Sequence, residues 1–458
     1  MHLVSAVLAI AACTGSDPAE APSTPPAPAP APAADKPDLV LVVVDTLRAD
    51  HLGVYGHSRP TSPNIDKMAA EGMWFSRAYA QSGWTLASFS SLFTGLLPHQ
   101  HCVGRDVRDV TKFGSLPDHV VTLAEALSAS GYATAAVMNN TFLAPAFKLN
   151  QGFGENYLWQ GARNDTHRTA DETVDIGMAW LAEQDQPALL VLHMMEPHLD
   201  YAAAAPYRGT FLPEPSFPMP LADPRMLLQA GTHALSPAFV AEVEAVYDEE
   251  ILAADAAVGR LRAALAARER PTYTVLTADH GEEFWDHNGF EHGQSLYNEL
   301  THVPLVVTGP ALPASGEVTG VVQHLDLFQS LIALGGAERP AGSSGEDLFA
   351  LARDGVPAGR TILNDNILYG PPQISVVNDS HRLVVDINTG SGAIWAIDAS
   401  GADTTRLQGQ AQIEWARRMM PALQALRGKD MAPCVPHNET QIPDFETFDQ
   451  LRSLGYID

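Results

Sequence analysis

Between residues 38 and 44 the chain reads Asp38, Leu39, Val40, Leu41, Val42, Val43, Val44, and it then stops on an acidic residue, Asp45. Six consecutive apolar side chains, four of them valine, predict a strand buried on both faces, because a strand with one wet face alternates. Such a strand needs helices above and below it. Apolar runs at 134–138, 188–193, 273–278 and 303–307 alternate with helical periodicity at 62–71, 86–94, 122–130, 168–183, 237–267 and 324–334. That grammar predicts a doubly wound α/β domain with a dominantly parallel sheet. Ligands of such sheets lie outside the carboxyl ends of the strands, where Asp45 falls.

After about residue 339 the pattern changes to Gly-rich turns, short alternating runs at 374–377, 382–386 and 393–397, and a closing helix at 413–427. This predicts a smaller α+β subdomain with an antiparallel sheet, so residues 37–338 form the main domain and 339–458 the appendage. A chain of 458 residues, 46% of them hydrophobic, has the material for both cores. No internal repeat is present. Residues 451–457 are too apolar for a loose end and are expected to dock on the body.

Residues 1–13 combine an apolar run with small residues before Cys13, as in a lipobox whose cysteine takes lipid. An ordinary cleaved signal peptide or a short uncleaved anchor fits the same residues, and the first positions carry His2 but no Lys or Arg. Residues 14–36 are rich in Pro and Ala and predict an extended spacer. The expectation is an exported protein of a bacterial envelope, held to a membrane only by an N-terminal lipid. No later stretch is long and apolar enough to span a bilayer. Three cysteines, Cys13, Cys102 and Cys434, are too few for a disulfide scaffold and match no zinc spacing.

Charge narrows the function. With 27 Lys and Arg against 54 Asp and Glu, the formal charge is -27, which repels polyanions and excludes nucleic acid as an expected partner. A small anionic substrate would need a local cation and a few well-placed donors to overcome that field.

Four places offer them. Asp45 at a strand tip suits a hard cation, and suits equally the cap of a following helix. Thr85 stands at the start of a helix whose Phe89, Leu92 and Phe93 fall at helical spacing. There its hydroxyl is a plain cap, or a group facing an anion held by free backbone N–H groups. Asp279 and His280 end the buried run 273–278, an expensive arrangement of polar groups unless something binds them. Finally, His193, His198 and His292 are candidates to donate to a substrate or leaving group, or to hold a second metal.

The order of these residues, with Asp45 to Gly53, Arg59 to Asp66, Ser91 to Gly95, Glu196 to His198, Ala278 to Glu282 and Leu451 to Ile457, resembles the sulfatase-like family of the alkaline phosphatase superfamily. The resemblance runs from about Lys36 onward. It implies a central mixed, mostly parallel sheet flanked by helices, one divalent metal cation (Ca, Mn or Zn), and a nucleophile that attacks sulfur or phosphorus. Sulfatases of the family carry a Cys or Ser, oxidised to formylglycine and followed by x-Pro-Ser-Arg. Here the matching positions are Thr85, Leu86, Ala87, Ser88 and Phe89. Thr46 replaces a second acidic residue, and Asn139 and Asn140 stand where a Lys and a His are usual. The set is more similar to the phosphotransferases and phosphodiesterases that use an unmodified Thr. On that resemblance Asp45, Asp279 and His280 hold the metal, and Thr85 is both ligand and nucleophile. His198 and His292 contact the transferred anion or protonate the leaving group, while His193 and Asn139 bind substrate. The expected activity is hydrolysis or transfer of a small anionic ester, or of an envelope glycan or lipid ester, with phosphoryl-type substrates favoured. The rival reading is a catalytically silent surface binding module that kept the fold.

Overall fold

The computed structural model describes residues 36–106, 109–159, 168–221, 223–428 and 439–441. The leader, most of the spacer and the apolar tail at 451–457 lie outside the described residues. A nine-stranded sheet forms the centre. Its strands in chain order are β1 (Asp38–Val44), β2 (Met73–Tyr79), β3 (Ala133–Met138), β4 (Glu155–Leu158), β5 (Ala188–Met194), β6 (Thr272–Ala278), β7 (His302–Val303), β8 (Leu305–Thr308) and β9 (Gly316–Gln323). From one edge the order runs β4, β3, β5, β1, β6, β8, β2, with the short β7 also pairing β2 and β9 beyond β2. The first five strands are parallel, and β8 is antiparallel to both neighbours, so the sheet is mixed but mostly parallel.

Every residue of β1 is buried, as its unbroken apolar run requires. Covering helices include α1 (Pro63–Glu71), α2 (Thr85–Thr94), α3 (Leu123–Ala129), α4 (Ala170–Ala182), α5 (Pro237–Ala266) and α6 (His324–Leu334). Three strands of this sheet escape the sequence pattern, among them β4, a short edge strand with no buried residue. β2 is interrupted by Ser76 and Arg77, and the Arg77 guanidinium leaves the sheet for Asp379. β9 opens on Gly316 and Glu317 and shifts register between Val318 and Val321, around Gly320 at φ 110°. None of the three reads as an apolar run.

The appendage is a five-stranded antiparallel sheet, β10 (Ile362–Asp365), β11 (Gln373–Val377), β12 (His381–Asp386), β13 (Gly392–Ile397) and β14 (Asp403–Arg406). Against it packs α7 (Gly409–Arg427), whose Met419 and Leu423 join Ile374, Val376 and Ile394 in a second core. Leu97 and Leu325 of the main domain belong to that core, while Leu348 and Leu351, after residue 339, belong to the first. Arg382 seals the junction. It is fully buried, pairs with Asp403 at 3.1 Å, and donates to Leu296 O, Thr301 Oγ1 and Asn298 Oδ1 at 2.9–3.1 Å.

Helix α5 carries the residues that fix the long connection after β5. Glu249 accepts N–H groups of Gly209, Phe211 and Leu212 at 2.9 Å, and Glu250 accepts that of Ala202 at 2.5 Å. Burial and the nearby Glu196 carboxyl push Glu250 up to about 8. An acid with a raised folded pKa binds its proton more tightly in the native state, so stability falls as pH rises from the ordinary carboxylate value through about 8. The Glu250→Gln variant keeps an oxygen for Ala202 N–H and loses the titration. Its melting temperature is expected to equal or exceed the parent's at pH 8, with the advantage shrinking towards pH 5, as read by thermal melts across that range.

Candidate active site

Register builds the site. Val44, the last residue of β1, pairs with Met194 of β5 on one side and Ala278 of β6 on the other. The residues that follow, Asp45 and Asp279, therefore leave the sheet side by side, and His193 lies one step back on β5. Asp45, Asp279 and His280 are each 0% exposed, and one ligand atom from each lies within 4.8 Å of the other two.

The turn after β1 is held open by unusual backbone. Thr46 has φ 56°, the left-handed region that a β-branched residue rarely enters. Tyr247 of α5 pins it, donating its O–H to Thr46 O at 2.7 Å and accepting Arg48 N–H at 3.0 Å. The Arg48 guanidinium then reaches Asp50, Asp286 and Glu282 O, so the turn after β1 is tied to the loop after β6. At Gly281 a Cβ would lie 2.0 Å from Glu299 O, so only glycine fits behind His280.

Their surroundings pull the two carboxylates in opposite directions. Burial works against charge on Asp45, but neighbouring His193, His198 and His280 hold it below the usual carboxylate range. Burial, and then the Asp45 charge, push Asp279 well above it. Asp45 Oδ2 accepts from Asn140 Nδ2 at 3.0 Å, and Asp279 Oδ1 accepts from His280 N at 2.9 Å and Thr46 N at 3.4 Å. Asp45 Oδ1, Asp279 Oδ2 and Thr46 Oγ1 are buried with no hydrogen-bond partner among the described residues. His280 Nδ1 lies 2.9 Å from Gly281 O. A carbonyl oxygen only accepts, so Nδ1 holds the proton and Nε2 turns a lone pair towards Asp45 and Asp279, at 3.6 and 3.3 Å. Burial and His292 lower the His280 pKa to about 3, which keeps that lone pair free. Two orphaned carboxylate oxygens facing an imidazole lone pair repel one another unless a cation lies among them. The donor set of two oxygens and one nitrogen fits a divalent ion.

Thr85 is the first residue of α2, and it is buried. Its Oγ1 lies 3.3 Å from His280 Nε2 and receives Asn140 Nδ2 at 3.4 Å. Ser88, one turn on, donates to Asp279 O at 2.5 Å and ties the helix to the metal-ligand turn. His292 completes the cluster. Its ring centroid is 4.5 Å from that of His280 and 5.1 Å from that of His198. Its Nδ1 lies 3.0 Å from Glu282 Oε1, and burial and His198 lower its pKa to about 4. Burial raises Glu282 to about 7, and Tyr201 donates to its other oxygen at 3.2 Å.

Two of the sequence expectations are corrected. Asn139 does not face this cluster. Its amide donates to Thr173 Oγ1 and His193 O, and its oxygen accepts from Arg168, so it holds β3, β5 and the approach to α4 together. Asn140 is the residue that reaches Asp45 and Thr85, because successive residues leaving a strand point opposite ways. His193 is wholly buried, with Nδ1 accepting Asn139 N–H at 3.3 Å and Nε2 3.3 Å from Asp45 Oδ2. It backs Asp45 and offers no surface to a substrate. Asp45, Thr85, Asp279, His280, His198 and His292 are brought together. Arg48, Tyr247 and Glu282 were missed; Arg48 and Glu282, each three residues past a candidate ligand, were the legible ones.

A buried Asp-Asp-His group thus stands beside a helix-start hydroxyl at the carboxyl end of a mostly parallel sheet. The Sulfatase family model matches residues 37–337, and the chain belongs to that family. It is similar to the uncharacterized sulfatase YidJ of Escherichia coli (strain K12), 24% identical over 365 residues, covering 69% of this chain and 71% of that one. Among solved structures, one in complex with its substrate D-glucosamine-2-N,6-O-disulfate aligns with TM-score 0.70 at 17% identity, covering 87% and 99% of the two chains. The phosphonate monoester hydrolase of Agrobacterium radiobacter aligns with TM-score 0.68 at 19% identity, covering 86% and 96%.

Removing one carboxylate separates metal binding from folding. In Asp279→Asn the amide oxygen still accepts Thr46 and His280 N–H, while the buried charge that grows above the usual carboxylate pKa is gone. Without metal at pH 8 this variant is expected to melt no lower than the parent. Added Mn, Ca or Zn should stabilise the parent, by about 2.7 kcal/mol at a hundredfold excess over Kd, and leave the variant unmoved in thermal melts and titration calorimetry.

Proposed function

We propose that this protein is a metal-dependent hydrolase of anionic sulfate- or phosphate-type esters that uses unmodified Thr85 as its nucleophile, with phosphoryl-type esters preferred. The observation that carries the reading is the Thr85 hydroxyl, 3.3 Å from His280 Nε2, whose group includes two carboxylates that each leave one oxygen without a hydrogen-bond partner among the described residues. A divalent cation held by Asp45, Asp279 and His280 would make that hydroxyl more acidic and draw charge from a substrate oxygen.

The chain's own groups supply the rest. Asn140 donates to Thr85 Oγ1 and stabilises it as it loses its proton. The free N–H groups at the start of α2 face the oxygens of the transferred group. Thr85 attacks sulfur or phosphorus, giving its proton to solvent, and the bond to the leaving oxygen breaks; His198 or His292, protonated beside the bound anion, then gives that oxygen a proton. Glu282 orients His292 through Nδ1, leaving Nε2 for this work. Water, or an acceptor alcohol, then releases the group from Thr85. His193 keeps Asp45 in place from behind.

Support for the substrate class comes from two directions. One structural neighbour binds a sulfated glucosamine and another is a phosphonate monoester hydrolase. The net charge of -27 favours a small anion or an anionic glycan ester over a polyanion. Location outside the cytoplasm, in a bacterial envelope and on an N-terminal lipid, belongs to the same reading.

The test is turnover by the purified protein of p-nitrophenyl sulfate, phosphate monoester, phosphodiester and phosphonate esters with added Mn, Zn or Ca. Metal-dependent release is expected, fastest on a phosphoryl ester, with Thr85→Ala lower by roughly a thousandfold or more and Thr85→Ser partly active. No turnover on any ester, with Thr85→Ala matching the parent, would leave a surface binding module. Activity surviving Thr85→Ala would remove Thr85 from the mechanism.

A further inference from the structure

The chain leaving β10 turns back onto the segment that carries Thr85. Asn364 donates its amide to Ala80 O, and Asp365 N donates to Gln81 O at 2.9 Å. Ser82 Oγ donates to Asn366 O at 2.7 Å, and Trp84 Nε1 donates to Asn366 Oδ1 at 3.2 Å. Three residues of the subdomain thus run beside 80–84, and Thr85 is next. The same segment grips the other side of the site. Leu368 N and Tyr369 N both donate to Gly293 O, at 2.7 and 2.9 Å, and Gly293 N donates to Gly83 O at 2.9 Å. Gly293 follows His292.

Asn366 is the knot in this segment. It sits at φ 69°, a conformation that asparagine tolerates better than most residues, with its N–H held by Asp365 Oδ1 at 2.8 Å. It is packed from behind, since a Cβ on Gly104 would lie 2.4 Å from its Nδ2. Helix α2 needs such a hold. Its cap residue is Trp84, and no side chain caps the helix start, so the usual local bond that fixes a first turn is missing. The indole of that cap residue is tied instead to the other subdomain. Asp45, Asp279 and His280 instead follow directly on paired strands of the central sheet. The junction itself does not need Asn366, because Arg382 and the second core join the two parts.

We propose that Asn366 is a positioning residue for Thr85, fixing the start of α2 through Trp84 so that the hydroxyl meets the metal-ligand turn at reacting distance. The proposal rests on the reading of Thr85 as nucleophile. A nucleophile set loose by a fraction of an ångström loses rate while bound substrate and metal are little affected, on the order of tenfold to a hundredfold.

The experiment compares the parent with Asn366→Ala and Asn366→Asp, all metal-loaded, by steady-state kinetics on the ester the parent turns over best and by hydrogen exchange. In Asn366→Ala, kcat is expected to fall roughly tenfold to a hundredfold with KM little changed, and exchange at 83–88 to quicken while 272–278 stays as slow as in the parent. Asn366→Asp should recover most of both, because its carboxylate accepts from Trp84 Nε1 and tolerates the same backbone. Unchanged exchange at 83–88 in Asn366→Ala, an unchanged kcat, or an Asp variant as impaired as the Ala variant would overturn the proposal. If the parent hydrolyses no ester, the nucleophile reading fails by itself, and the exchange comparison still decides whether Asn366 holds the start of α2.

Discussion

Two carboxylates delivered to one dry place govern this molecule. β1 and β6 are adjacent and parallel, they end at the same level, and each ends on an aspartate. Burying one unpaired carboxylate costs several kcal/mol, and burying two side by side adds their repulsion. The surroundings answer part of that cost: Asn140 and His193 attend Asp45, and two backbone N–H groups attend Asp279. One oxygen of each is left without a partner among the described residues. The fold holds this arrangement because β1 is locked into the sheet on both edges and Tyr247 and Arg48 secure the turn after it.

Around that centre, rigidity decreases in steps. The metal-ligand group sits on strands of the main core. Thr85 sits at the start of a helix that is buried throughout yet capped by no side chain. His198 lies at the head of a long connection whose later residues are fastened by the carboxylates of α5, and His292 lies in a loop that shares Gly293 with the C-terminal subdomain. The buried Asp-Asp-His group follows the sheet's strands, while His198 and His292 are on loops tied down from outside. That distribution matches the general placement of binding residues on loops over a stiff scaffold.

The parts legible in the sequence share a physical cause. β1, β5 and β6 announce themselves because strands buried on both faces must be apolar, and Asp45, Asp279 and His280 stand out against that background. β2 and β9 carry polar residues or a bulge and merge into their surroundings. The confusion of Asn139 with Asn140 is a register error of one residue, and along an extended chain one residue is the difference between facing the site and facing away. The role of His193 could not be read from its neighbours in sequence, since it depends on the pairing of β5 with β1. Asn366 and Arg382 act across separations of more than eighty residues, where no local pattern reaches.

The first residue of α2 has a consequence for how the protein comes into being. The formylglycine of many sulfatases is made after translation, by oxidising a primary carbon that bears sulfur or oxygen. Threonine carries a methyl group on that carbon, so its oxidation would give a ketone and never the aldehyde. With Thr85 in this place, the proposed nucleophile is a hydroxyl already present in the translated chain, and no oxidation at this residue is needed to make it.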